Sequence, residues 1–288
     1  MLIHTQGVGK MKKFLIAILA SFPLIALSQS YVIMDNGTTI TLDKDGFVYD
    51  VGNYAFPQKI TLKSGQYFVE ENSIIATVDE KGALFRKYEQ IPEKIIGRGM
   101  NYFLSDKGDL YTVNSQGVVT LTSDEKLKTA NFFGGNYFTV LTNPDTKDMD
   151  LYTVHADGTY AKVALVDFKM KDVAAYGGNY FMSNRGVVYT ISETGAVIPW
   201  PGMRVGVLQK RGGNYFIDSS NTMFTVGSDG TLVLPGLPMN LKLPSITKFG
   251  SSYFLDISGR LFAIDHTGNI YERVMRDQDF KNARVISL

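Results

Sequence analysis

The 288-residue chain has no cysteine, a single tryptophan (Trp200), three histidines and nine prolines. The missing cysteines exclude a disulfide framework, a thiol nucleophile, thiolate metal sites and a lipid-modified cysteine after a leader. His-Glu-x-x-His, Gly-x-Ser-x-Gly and a glycine-rich phosphate loop are absent as well, so the zinc-peptidase, serine-hydrolase and nucleotide-binding signatures have no counterpart. No long run of lysines and arginines occurs, and 29 basic against 28 acidic residues give a formal net charge of +1. Nucleic-acid phosphates are held by a concentrated basic surface, and none is indicated. Helix-period apolar stretches are lacking too, whereas 28 glycines, 16 tyrosines and 18 phenylalanines favour short strands and tight turns.

The one long apolar run lies near the start. Met11-Lys12-Lys13 makes a positive n-region, Phe14 to Leu27 an apolar segment, and Ala26-Leu27-Ser28 small residues at a cleavage site. Residues 1–28 are therefore expected to be a signal peptide, with Met1 to Lys10 an upstream extension and Met11 the true start. The run is too short to span a bilayer comfortably. Its removal takes away Lys10, Lys12 and Lys13 and no acids, leaving 26 basic against 28 acidic residues. The expected product is a soluble periplasmic or secreted bacterial protein forming a single domain over residues 29–288.

That remainder is repetitive. Asn-Tyr-Phe recurs at Asn101, Asn136, Asn179 and Asn214, with degenerate copies at Gln66-Tyr67-Phe68, Ser252-Tyr253-Phe254 and Ser30-Tyr31-Val32. The seven tyrosines step by 36, 35, 35, 43, 35 and 38 residues. A second landmark keeps the same beat, an apolar segment followed by three polar or small residues and a glycine: Gly46, Gly82, Gly117, Gly158, Gly195, Gly230 and Gly268. It predicts a hairpin whose turn ends in a left-handed residue, opened by Asp43, Asp79, Asn114 or Asp265.

Each unit then reads as a strand (Tyr102 to Ser105), a turn, a strand (Leu110 to Val113), the hairpin, a strand (Val118 to Leu121) and a connecting strand such as Ala130 to Phe133. Bulky residues fall on both faces of these strands, so both faces must be covered. A period of this length holds about four short strands, and radially packed sheets cover one another. The expectation is an all-β, seven-bladed β-propeller. Its first unit lacks a leading strand, and Lys281 to Ile286 aligns with Lys128 to Phe133, so the C-terminal strand is expected to close the ring against the N-terminal one.

The segment from Gly108 to Val118 resembles the quinoprotein-type propeller repeat, and Ala174 to Tyr180 is similar to the start of a repeat of the chromosome-condensation-regulator type. The resemblance spans Ser30 to Leu288. It implies a propeller. The quinoprotein pattern closes each unit with a tryptophan, and Trp200 stands alone, so no quinone or other cofactor is expected.

Within the repeat, Tyr and Phe point to opposite faces and serve as core, while the Asn amide ties neighbouring blades together. The position before the glycine pair varies: Lys63, Arg98, Phe133, Tyr176, Arg211 and Phe249. Facing the funnel or one rim, these cations and aromatics suit a sugar or peptide by stacking and charge-assisted hydrogen bonds; between blades they would be core. Blade four carries an insertion from Thr142 to Asp150, whose carboxylates lack the spacing of a calcium loop. Pro199 to Met203, with Trp200 and Met203, and Leu234 to Met239, with Pro238 and Met239, are proline-stiffened apolar connections that form either a partner patch or packing.

No catalytic residue and no metal ligand set is expected. His155 and His266 fall in hairpins of blades four and seven, too far round a ring to cooperate. The leading expectation is a monomeric, non-catalytic binding or scaffold module that presents a face or funnel to a protein, peptide or cell-wall glycan. The alternative is a carbohydrate-active hydrolase or lyase using funnel carboxylates.

Overall fold

The computed structural model describes residues 30–34, 37–53, 59–71, 73–92, 94–165, 168–275 and 280–286. The leader reading falls on residues 1–28, outside the described residues. Seven four-stranded antiparallel sheets follow one another along the chain. Blade three shows the plan: Ile95–Arg98, Tyr102–Ser105, Asp109–Val113 and Val119–Ser123 are its first to fourth strands. The segment before each glycine pair thus pairs with the tyrosine strand that follows it.

In blade one that first strand comes from the far end of the chain. Ala283–Ile286 pairs antiparallel with Ser30–Met34, in register Val32↔Ile286 and Ile33↔Val285. The protein is a closed, seven-bladed all-β propeller. Blade four differs only in length: its insertion prolongs the second and third strands into a longer hairpin, Tyr137–Asn143 against Asp148–Val154.

The hairpin reading is met at every blade. All seven turn glycines, from Gly46 to Gly268, have φ between +70° and +89°, a region that costs any residue with a Cβ. Asp43, Asp79, Asn114 and Asp265 open their turns by accepting two backbone N–H groups each.

The core lies between blades. Each tyrosine from Tyr31 to Tyr215 packs against the phenylalanine of the next blade, with ring centroids 4.7–5.7 Å apart. Tyr253 meets Val32 instead, in the cluster that seals blade seven to blade one. Every tyrosine hydroxyl donates to the main-chain oxygen of the next blade's tyrosine, and Tyr253 donates to Tyr31. This circuit of seven bonds is closed.

Two tighter rings surround the axis. The second residues of the hairpin turns, Lys44, Glu80, Ser115, Ala156, Glu193, Ser228 and His266, form an unbroken circle of backbone hydrogen bonds of 2.8–3.2 Å. Hydrogen-bonded strands sit about 4.8 Å apart, so seven such steps enclose a circle roughly 5–6 Å in radius. The loops between first and second strands make the other ring: Gln66 N–H donates to Met100, Met100 to Gly135, Gly135 to Gly178, Asn179 to Gly213, Gly213 to Gly250 and Asn214 to Ser251.

Such close approach explains the glycine pairs. A Cβ built on Gly178 would lie 1.6 Å from the Gly213 carbonyl oxygen. Gly178→Ala is expected to cost about 3 kcal/mol or more and lower Tm by about 6–12 °C, because backbone cannot yield as a side chain does. Gly236, whose Cβ would meet nothing within 4 Å, is the control. Equal melting temperatures for the two alanine variants in calorimetry would refute this account.

Candidate functional site: the axial cavity

Where the first strands end, the loop ring floors a cavity of about 230 Å³. Its walls are Arg98, Phe133, Tyr176 and Arg211, the last residues of the first strands of blades three to six, together with Ser64. Met100 and the glycine pairs form the floor. Four of the six variable positions therefore meet in one site. Phe249 does not line it: its ring packs against Tyr215 with Lys210 over its face. Lys63, in register with Phe68, also stays outside the lining.

The electrostatics are one-sided. Among the described residues lining the cavity the charged groups are two guanidinium groups, with no carboxylate. Arg211 is steadied by donating from one terminal nitrogen to the Tyr176 carbonyl oxygen, 2.7 Å away. The Arg98 side chain makes no hydrogen bond or ion pair with the described residues, and the residue is exposed. Tyr176 is half-buried, and burial pushes its hydroxyl pKa up to about 12, so it stays a neutral donor. Phe132 stacks on Tyr176 at 4.5 Å, the planes 4° apart.

Phe132 and Met100 are the functional features that the sequence reading missed. Phe132 sits at a bulge in its strand with φ +42°, an unusual conformation for a bulky residue, which turns its ring onto Tyr176. Met100 replaces the second glycine of the pair in blade three, a departure visible in the sequence. Its sulfur lies 2.7 Å and 2.5 Å from where a Cβ of Gly135 or Gly213 would be, so the side chain crosses the axis.

The proline-stiffened connections divide. Trp200 and Met203 pack against the cluster shared by blades five and six, and the indole N–H donates to Thr190 Oγ1 at 2.8 Å. The indole is anchored by an apolar bed and a hydroxyl partner, and both side chains stay partly exposed. Met239 is fully exposed, beside half-buried Pro238 and exposed Leu234 and Leu237.

A larger cavity, about 340 Å³, adjoins the blade-four hairpin. Four of its five charges are already paired, Lys162 with Asp150 and Lys171 with Asp148, which leaves Lys169 as the charge in the lining without an ion pair among the described residues. His155 is enclosed by Thr153 and Thr159, which bond its two ring nitrogens, and burial lowers its pKa. Among the described residues no three His, Cys, Asp or Glu side chains cluster as metal ligands, and no helix is long and apolar enough to cross a membrane.

No family model matches the sequence, and no curated protein matches it. Solved structures that resemble the chain include a streptogramin B lyase, 15% identical, covering 88% of this chain and 85% of that one with a TM-score of 0.35. Virginiamycin B lyase from Staphylococcus aureus is 12% identical, with coverage of 86% and 94% and a TM-score of 0.35. YCF48 bound to a peptide is 11% identical, with coverage of 86% and 83% and a TM-score of 0.23. The fold rests on the chain's own strand pairing, and the site on its own side chains.

Proposed function

We propose that this protein is an exported, non-catalytic binding module whose axial cavity receives an anionic group of a partner in the cell envelope, a peptide or glycan carrying a carboxylate. The observation that carries this reading is the lining itself: two arginines, an aromatic wall and no acid. Guanidinium forks match carboxylates, and aromatic faces accept the apolar part of a peptide or the ring of a sugar. The tyrosine circuit fixes the strand ends that carry the arginines and Arg211 is already held on the Tyr176 carbonyl, so the side chain left to be ordered on binding is Arg98. Export is supported by the leader-like residues 11–28.

A carbohydrate-active hydrolase or lyase is the alternative, and it needs two carboxylates converging on the substrate. The acid-free lining favours binding over that chemistry.

The test is titration calorimetry of the protein against acidic peptides and uronic-acid oligosaccharides, with Arg98→Ala and Arg211→Ala. Each arginine is expected to be worth about 10–100-fold in affinity, as charge-assisted hydrogen bonds are, with weaker binding as salt rises. Binding that ignores both substitutions would place the ligand elsewhere, and the exposed Met239 loop would become the next candidate. Turnover of an oligosaccharide by the wild type would establish the enzyme reading instead.

A further inference from the structure

Each blade ends in a fourth strand with a sheet neighbour on one side only, and an unpaired edge is a template for another chain. Charge, proline and brevity are the devices that keep such edges apart. The fourth strand of blade one carries Asp50, that of blade two Arg86 and Lys87, that of blade four Lys162 and that of blade seven Glu272 and Arg273. In blade five the strand contains Pro199, and in blade six it is cut to Leu232–Val233.

Blade three has none of these guards. Its fourth strand, Val119–Ser123, reads Val-Thr-Leu-Thr-Ser and follows its neighbour in the sheet without a bulge. Thr120 to Ser123 are exposed, as is Val118 just before the strand. Uncharged segments of this length rich in β-branched residues are the ones that add further strands most readily.

The bonded side of the strand fixes which groups face outward. Asn114 N–H donates to the Val118 carbonyl and Asp124 N–H to that of Gly108, so with alternate pairs bonded, Thr112 bonds with Thr120 and Leu110 with Thr122. Val119, Leu121 and Ser123 therefore turn their main-chain N–H and C=O away from the blade, where they meet no partner among the described residues.

The sequence about Leu121 is its own complement. Laid antiparallel on a second copy, Leu121 meets Leu121, Val119 meets Ser123 and Thr120 meets Thr122, so every outward-facing residue finds an outward-facing one and exchanges two N–H···O bonds with it. The same register sets Asp124 opposite Val118 and Glu125 opposite Gly117, which keeps the acidic ends of the two strands apart.

We propose that the outer edge of blade three pairs with the same edge of a second copy about a two-fold axis at Leu121, making one sheet continuous through both propellers. The contact is isologous, the same patch used on both sides. Such a dimer departs from the monomer expected of the sequence, and it does not depend on the ligand assigned to the axial cavity.

Sedimentation of the full chain over a range of concentrations tests it. One strand pair is a small interface, so the chain is expected to be a monomer at about 1 µM and largely a dimer at about 100 µM. Leu121→Lys puts a charge on each side of the axis and should weaken association about tenfold or more, while its Tm at about 1 µM stays within about 2 °C of the wild type because the side chain is exposed. The chain has no cysteine, so Leu121→Cys carries a single thiol. Mild oxidation should join it to its mate, since opposite residues of a bonded antiparallel pair lie about 5.5 Å apart between Cα atoms. Ala161→Cys, on the lysine-guarded edge of blade four, should not cross-link. A wild type that remains a monomer up to about 300 µM would overturn the pairing and leave the edge to a strand of another protein. So would a Leu121→Lys variant that associates as the wild type does, or equal rates of cross-linking for the two cysteine variants.

Discussion

Raising the pH to about 11 is expected to unfold this protein in one steep step. Tyr31, Tyr67, Tyr102, Tyr137, Tyr180 and Tyr215 are fully buried, and burial, the largest cause, holds each hydroxyl well above the usual tyrosine pKa. In the unfolded chain these groups ionise near pH 10. The folded state keeps protons that the unfolded state releases, so their stabilising contribution is intact below pH 10 and is lost as the pH climbs above it. One unit above the unfolded pKa each group has forfeited on the order of 1 kcal/mol, and six together approach the whole stability of a domain.

The tyrosine circuit makes the loss cooperative, because a tyrosinate cannot donate to the next blade's carbonyl. Beyond the early contribution of exposed tyrosines outside the circuit, tyrosinate absorbance and near-ultraviolet circular dichroism should change together in a single transition. Ionisation of all the tyrosines before tertiary structure is lost would show that the ring is open to solvent. Tyr102→Phe removes one link and should cost about 1 kcal/mol at neutral pH.

Deleting residues 283–288 should lower Tm by about 10–15 °C. The strand lost is the one that pairs with Ser30–Met34, every residue of which is buried. Lys248 of blade seven also donates from its amine to the Lys281 and Ala283 carbonyl oxygens, so the deletion loosens that contact too. A few hydrogen bonds and the newly wetted apolar surface amount to about 4–5 kcal/mol. Blade one would then present an open edge, and unpaired edges recruit other strands. Calorimetry and light scattering should show an earlier melt and concentration-dependent association. A truncated chain that melts with the wild type and stays monomeric would mean that the ring does not need its clasp.

Seven blades, the hairpin turns and the clasp were legible in the sequence because each depends on a local requirement repeated at a fixed spacing: a glycine where φ is positive, a tyrosine and a phenylalanine on opposite faces of one strand, a turn opened by Asp or Asn. The turn and strand requirements are met within a few residues of chain, so the sequence determines them unaided, and the clasp was legible as a first unit short of one strand matched by a surplus strand at the other end. What happens where blades meet is different. Lys63 and Phe249 hold the same place in the repeat as Arg98 and Arg211, yet Phe249 is taken up by Lys210 and Tyr215, side chains that the packing of blade six on blade seven brings to it. Trp200 read equally as patch or packing until Thr190 and the blade-six core received it. The gathering of arginines, aromatics and Met100 at one cavity belongs to the tertiary structure alone. Convergence on an axis is a property of ring closure, and no single repeat contains it.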